Sequence, residues 1–191
     1  MRYFLFIVFS TVLISPGHGD DVPSLLNQEL TNYRFSTVPV NDQVLVTQLN
    51  VSQQFILSSR RRDFNNLLYR HLGILEARGD KRDIAIIQEV IDQKLLPNDQ
   101  IKAWQSMGIV FGDILAKEFG MAWVSYEDEL GISKALRWKE TDNYVFPITF
   151  FSKRVQFGES IDANVLYNNI SNEINQFKED SARVAGQRHN R

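Results

Sequence analysis

The sequence predicts an α+β fold, a single domain in which helices surround a small antiparallel three-stranded meander. Three observations carry that prediction. Apolar residues recur at helical spacing from about residue 50 to 119, change to alternation between 122 and 146, and return to helical spacing from Pro147 to Phe177. Short links between the alternating runs favour antiparallel neighbours over crossovers.

The first nineteen residues stand apart. Met1 and Arg2 precede a run from Tyr3 to Ile14 that is apolar except for Ser10 and Thr11. Twelve helical residues span about 18 Å, short of a hydrocarbon core of roughly 30 Å. Ser15-Pro16 and then Gly17-His18-Gly19 supply a breaker and a small-x-small exit ahead of Asp20. This order of features predicts a cleavable secretory signal over residues 1–19, and with it a periplasmic or secreted product. No later segment has the apolar length of a membrane span, so none is expected after cleavage.

Residues 20–49 read as a lead-in, with Leu25, Leu26 and Leu30 in its first part and Pro39 interrupting it. The α+β domain is expected over 50–178. Its first helix covers about Asn50–Leu72, with Val51, Phe55, Ile56, Phe64, Leu67, Leu68 and Leu72 near one side. Arg60, Arg61 and Arg62 fan out around it at about 100° per residue and form no single patch. Gly73 and Gly79 bracket a connection, and Asp80 with Asp83 starts a second helix carrying Ile84, Ile87, Ile91 and Leu95. Pro97 ends it. The third helix, capped at Asn98-Asp99 and stopped by Gly120, has the most regular stripe: Ile101, Trp104, Gly108, Phe111, Gly112, Leu115 and Phe119.

Strands follow at Ala122–Glu127, Ala135–Lys139 and Tyr144–Phe146, the first two joined by a turn at Glu129-Leu130-Gly131. Pro147 suits the first position of a helix bearing Ile148, Phe151 and Val155. Asp162 caps a last helix with Val165, Leu166, Ile170, Ile174 and Phe177 inward. From Glu179 to Arg191 periodicity is lost and a disordered tail is expected.

The ordered series Gly108–Leu115, Gly120–Val124, Asp128–Gly131, Ala135–Arg137 and Phe146–Val155 resembles the bacterial domain-of-unknown-function family DUF3806. That family shows a glycine-spaced helix, a Gly-x-x-Trp strand and a Pro-led Lys-Arg segment. The resemblance covers about residues 82–166. It implies a compact α+β domain found in exported or cell-envelope settings, and it brings no catalytic residues with it.

Composition narrows the chemistry further. The chain of 191 residues has no cysteine and a formal charge of −2. Disulfides, thiol nucleophiles, cysteine-ligated zinc and iron–sulfur clusters are therefore excluded. The near-neutral balance argues against a nucleic-acid partner. His71 is the only histidine in a segment expected to be ordered, and no Walker loop, dinucleotide fingerprint, nucleophile elbow or His-Glu-x-x-His occurs. No catalytic residue, metal or cofactor is assigned.

Gly108 and Gly112 each cost about 1 kcal/mol relative to alanine inside a helix. Four apart on the apolar stripe, they predict close backbone packing. Arg137, Lys153 and Arg154 are the candidate anion or acidic-partner site if the fold gathers them. Trp123 and Tyr126 alternate on a strand, so at least one should leave the core and offer a partner contact. Glu127, Asp128 and Glu129 form an acidic run at the strand end, and adjacent strand residues make a poor catalytic pair.

The sequence thus favours an exported, non-enzymatic binding or interaction domain whose partner is another protein of the envelope, with an immunity-like role as one concrete version. A cell-envelope enzyme using carboxylates and a structural accessory protein are the alternatives.

Overall fold

A computed structural model describes residues 44–189. The expected signal at 1–19 and most of the lead-in, residues 20–43, lie outside the described residues, as do Asn190 and Arg191. Within them the chain builds β1 (Leu45–Gln48), α1 (Val51–Leu72), α2 (Asp83–Asp92), α3 (Ile101–Phe119), β2 (Met121–Asp128), β3 (Gly131–Trp138), β4 (Tyr144–Val145), a 3₁₀ turn (Pro147–Thr149), α4 (Phe150–Gln156) and α5 (Ala163–His189).

The class is α+β and rich in helix, but the expected three-stranded meander is corrected to a four-stranded antiparallel sheet in the order β1-β2-β3-β4. The added strand comes from the segment read as a lead-in. Leu45 pairs with Glu127, Val46 with Tyr126, Thr47 with Ser125 and Gln48 with Val124. Four residues are too few to show an alternation by themselves; this stretch is a strand because distant β2 offers it an edge. β2 and β3 pair along their whole length, from Met121 opposite Trp138 to Asp128 opposite Gly131.

Each helix has local causes. Asn50 caps α1 by accepting from the Gln53 amide at 2.8 Å, while the Gln53 side chain accepts from the Asn50 amide at 3.0 Å, a reciprocal capping box. Gly73, left-handed at φ 67°, closes the helix by donating to the Leu68 and Tyr69 carbonyls. The buried side of α1 is Leu57, Phe64, Leu67 and Leu68. Val51 and Phe55, expected on that side, face solvent; at about 100° per residue they fall opposite Leu57 and Phe64. Val165 is likewise exposed, one position out of step with buried Leu166. The helix expected from Pro147 starts as a 3₁₀ turn before becoming α. At the chain end, α5 runs on to His189, past Glu179, where periodicity stops. An Asp180–Arg183 pair at 2.8 Å ties successive turns there.

α3 is the axis of the molecule. Trp104, Met107, Val110, Phe111, Ile114 and Leu115 are all buried in the main core. Phe111 meets Phe150, Phe151 and Tyr167 edge-on, with ring centroids 6.1, 5.3 and 6.5 Å away. Met121, Leu136, Trp138 and Val145 supply the sheet's side of this core. On the other sheet face, Val124, Tyr126 and Ala135 form a second cluster with Val44, Val46, Tyr144 and Phe146.

The glycine strip of α3 makes the joint between helix and sheet. A β-carbon on Gly108 would lie 2.5 Å from the Ile148 carbonyl oxygen and 2.6 Å from that of Pro147. One on Gly112 would lie 2.5 Å from the Trp123 ring and 2.6 Å from the Pro147 ring. The Pro147 turn and the Trp123 indole therefore occupy the space that side chains would take. Gly108→Ala should lower stability by about 1–3 kcal/mol from overpacking, against a helix-propensity gain of about 1 kcal/mol. An unchanged or raised urea midpoint would show that the contact has room to spare.

Candidate functional site

The most organised polar group lies where α1, α3 and β2 meet. Of the three fanned arginines, Arg60 pairs with Asp63 at 3.7 Å and Arg62 lies 5.8 Å over the Phe55 ring. Only Arg61 reaches an acid on another helix. It grips Asp113 of α3 with both arms of the fork, Nε to Oδ2 at 2.5 Å and Nη2 to Oδ1 at 2.7 Å. The Trp123 indole donates to the same Oδ1 at 2.9 Å. Gly112 lets the indole cross the helix, and the next residue, Asp113, receives its N–H.

A second group stands one turn further along α3, toward its C-terminal end. Asp80 accepts from the Arg82 guanidinium at 2.6 and 2.9 Å and from the Arg82 amide at 3.1 Å, with the Lys117 ammonium 3.6 Å away. The Arg82 hydrogen bonds hold the Asp80 carboxyl well below the usual carboxylate range. Asp83, buried at the start of α2, accepts from the Gly79 amide at 2.6 Å. Lys81 and Ala77 fasten the same connection through Glu118 and Asn65.

Of the residues singled out from sequence, Tyr126 and Arg137 meet at the Tyr144 ring, whereas Trp123 lies on the other sheet face. Trp123 faces the helices and Tyr126 the other side of the sheet, where it is buried against Tyr144 and Phe146 at ring distances of 5.0 and 5.2 Å. Neither presents an open aromatic face. Arg137 donates to the Thr141 carbonyl at 2.8 Å and stacks 5.8 Å from Tyr144. Arg154 donates to the Phe150 carbonyl at 2.8 Å. Both guanidiniums thus support backbone in their own neighbourhoods, one beside the sheet and one on α4, while Lys153 is exposed on α4.

The Arg61–Asp113 pair escaped sequence reasoning because its members lie on different helices; the one available sign was an aspartate following a glycine on the apolar stripe. Two clefts flank these groups. One of about 660 Å³ opens between α1 and the start of α3, beside Arg60, Asn66, Arg70 and Lys102. Arg70 is turned back onto the Asn66 carbonyl at 3.2 Å. The other, of about 470 Å³, lies between the 73–82 connection and α2. Among the described residues no group of three or more histidine or acidic side chains is placed to hold a metal, and no helix is long and apolar enough to cross a membrane.

Against known proteins, residues 83–167 match a family model described as a domain of unknown function, DUF3806. The matched region contains α2 to the start of α5, and with it β2, β3 and β4; β1 and α1, with Arg61, lie before it. A crystal structure from Bacteroides thetaiotaomicron VPI-5482 shares the fold at a TM-score of 0.61 and 18% identity. The similarity covers 68% of this chain and 48% of that one, so this chain spans about half its length. No curated protein sequence matches.

Asp113→Ala strips both Arg61 and the Trp123 N–H of their partner, and should cost roughly 2–3 kcal/mol, with Asp113→Asn costing less. Urea denaturation of these variants and of Arg61→Met in a double-mutant cycle measures the coupling. Independent, additive losses would show that the two helices are not joined through this pair.

Proposed function

We propose that this is a non-enzymatic interaction domain of an exported protein, and that it meets its partner through the β2–β3 end of the sheet. The observation that carries the reading is a group of exposed apolar side chains at that end. Leu45, Leu130 and Ile132 are 55%, 76% and 62% exposed, although large apolar groups gain from burial. Leu45 pairs with Glu127 and Glu127 with Ile132, so Leu45 and Ile132 flank Glu127 on one face of the sheet, and Leu130 stands in the adjoining β2–β3 turn. Asp128 and Glu129 rim the group at the turn. A partner surface with apolar residues bordered by lysine or arginine is the complement.

The rival, a carboxylate enzyme at the same acids, is less well supported. Asp128 is occupied with the turn, accepting from the Leu130 amide at 2.9 Å. Its neighbour Glu127 projects to the opposite face of the strand. In contrast to this open end, the best-formed ion pair, Arg61–Asp113, has both carboxylate oxygens bonded within the fold.

Site-specific photo-crosslinking in the producing cells tests the surface. A crosslinker at Leu130 or Ile132 should capture one and the same protein, and one at exposed Lys94 should not. Equal capture from all three positions, or none from the first two, would refute the assigned face.

Export rests on the signal-like pattern of residues 1–19 and is tested separately. Terminal sequencing of the product from the cell envelope or medium should begin at Asp20. A product beginning at Met1 would remove the export claim.

A further inference from the structure

We infer that the cleft between the 73–82 connection and α2 is a second binding site, for a peptide segment that donates a backbone N–H to Asp83 and lays an apolar side chain against the cleft wall. Asp83 is 1% exposed and forms part of that wall. Its Oδ2 accepts from Gly79, but its Oδ1 has no hydrogen-bond partner. Buried polar atoms are almost always paired, so an unpaired carboxylate oxygen beside a cleft marks a missing donor.

The surroundings select the donor. Around the cleft the charges of Glu76 and Asp83 are balanced by those of Arg78 and Arg82. With no net charge to repay the desolvation of an entering ammonium, a neutral amide N–H is the less costly donor. Ile74 and Ile86 are half-buried and Leu75 is 78% exposed, so the same cleft offers an apolar wall. Its volume of about 470 Å³ suits a side chain with its flanking peptide groups. Oδ1 is closed to solvent in the structure, so the donor enters as the connection shifts. That connection is bounded by Gly73 and Gly79, both left-handed, at φ 67° and 66°.

This site lies by the C-terminal end of α1, whereas the β2–β3 surface neighbours its start through the Gln53–Ser125 hydrogen bond. It therefore holds or fails independently of that surface.

N-acetyl-leucine methylamide is the probe, followed by amide shifts in NMR of the whole chain. Saturable shifts at Gly79, Asp83 and Ile86 are expected, with affinity in the millimolar range typical of so small a ligand. In Asp83→Asn the Gly79 amide retains the side-chain oxygen, which places the NH₂ group where Oδ1 stood. Affinity should fall by about fivefold or more, since one donor then faces another. Leu75→Asp, at an exposed position, should weaken binding without disturbing the fold and decides the matter if Asp83→Asn fails to fold. n-Butylammonium should bind more weakly than the neutral probe. The proposal is overturned by no saturable shift up to the probe's solubility limit, by wild-type affinity in the variants, or by tighter binding of the ammonium. The first of these outcomes assigns Oδ1 to a buried water.

Discussion

The contact of α3 with the Pro147 turn and Trp123, across a strip without side chains, is what the rest of the structure depends on. Gly108 admits two carbonyl oxygens and Gly112 admits two rings. With the turn seated there, Phe150 and Phe151 follow directly in the chain and pack edge-on against Phe111. With the indole seated, its N–H reaches Asp113, and Asp113 in turn holds Arg61. One flat strip thereby fixes the position of α4, the sheet and α1. Two glycines at about 1 kcal/mol each are a modest cost for that much of the core.

A consequence runs through the electrostatics. Two carboxylates beside α3 are already paired: Asp113 with Arg61, and Asp80 with Arg82 and Lys117. Partly buried pairs of this kind fix geometry more than they add net stability, and their hydrogen-bonding capacity is turned inward. What is left unsatisfied is the exposed apolar group of Leu45, Leu130 and Ile132 and the buried, unpaired oxygen of Asp83. The region matching the family model holds the Asp83 end and most of the sheet, whereas β1 adds Leu45 from outside it.

Much of this fold was legible from local pattern. The helices around Phe64, Ile87, Phe111 and Ile170 and the strands through Val124 and Leu136 all announce themselves by spacing, because one side of each is buried in a continuous core. The errors came where that condition fails. Val51 and Phe55 look like members of a stripe but sit on its far side. β1 has four residues and too little alternation to be seen. The last helix continues past Glu179, where no periodicity marks it.

The site divides in the same way. Sequence alone determined that no thiol chemistry is available, since no cysteine is present, and that the first nineteen residues have the pattern of an export signal. It also determined that the glycines of α3 share one face. Tertiary structure alone decided what meets that face, that Arg61 and no other of the three arginines finds an acid on another helix, and that Trp123 and Tyr126 are covered on opposite sides of the sheet. It also decided that Asp83 is left with an oxygen to fill. The physical reason is range: helical and strand periods are set within a few residues, whereas partners such as Arg61 and Asp113, or Leu45 and Glu127, are joined only once distant segments share a core.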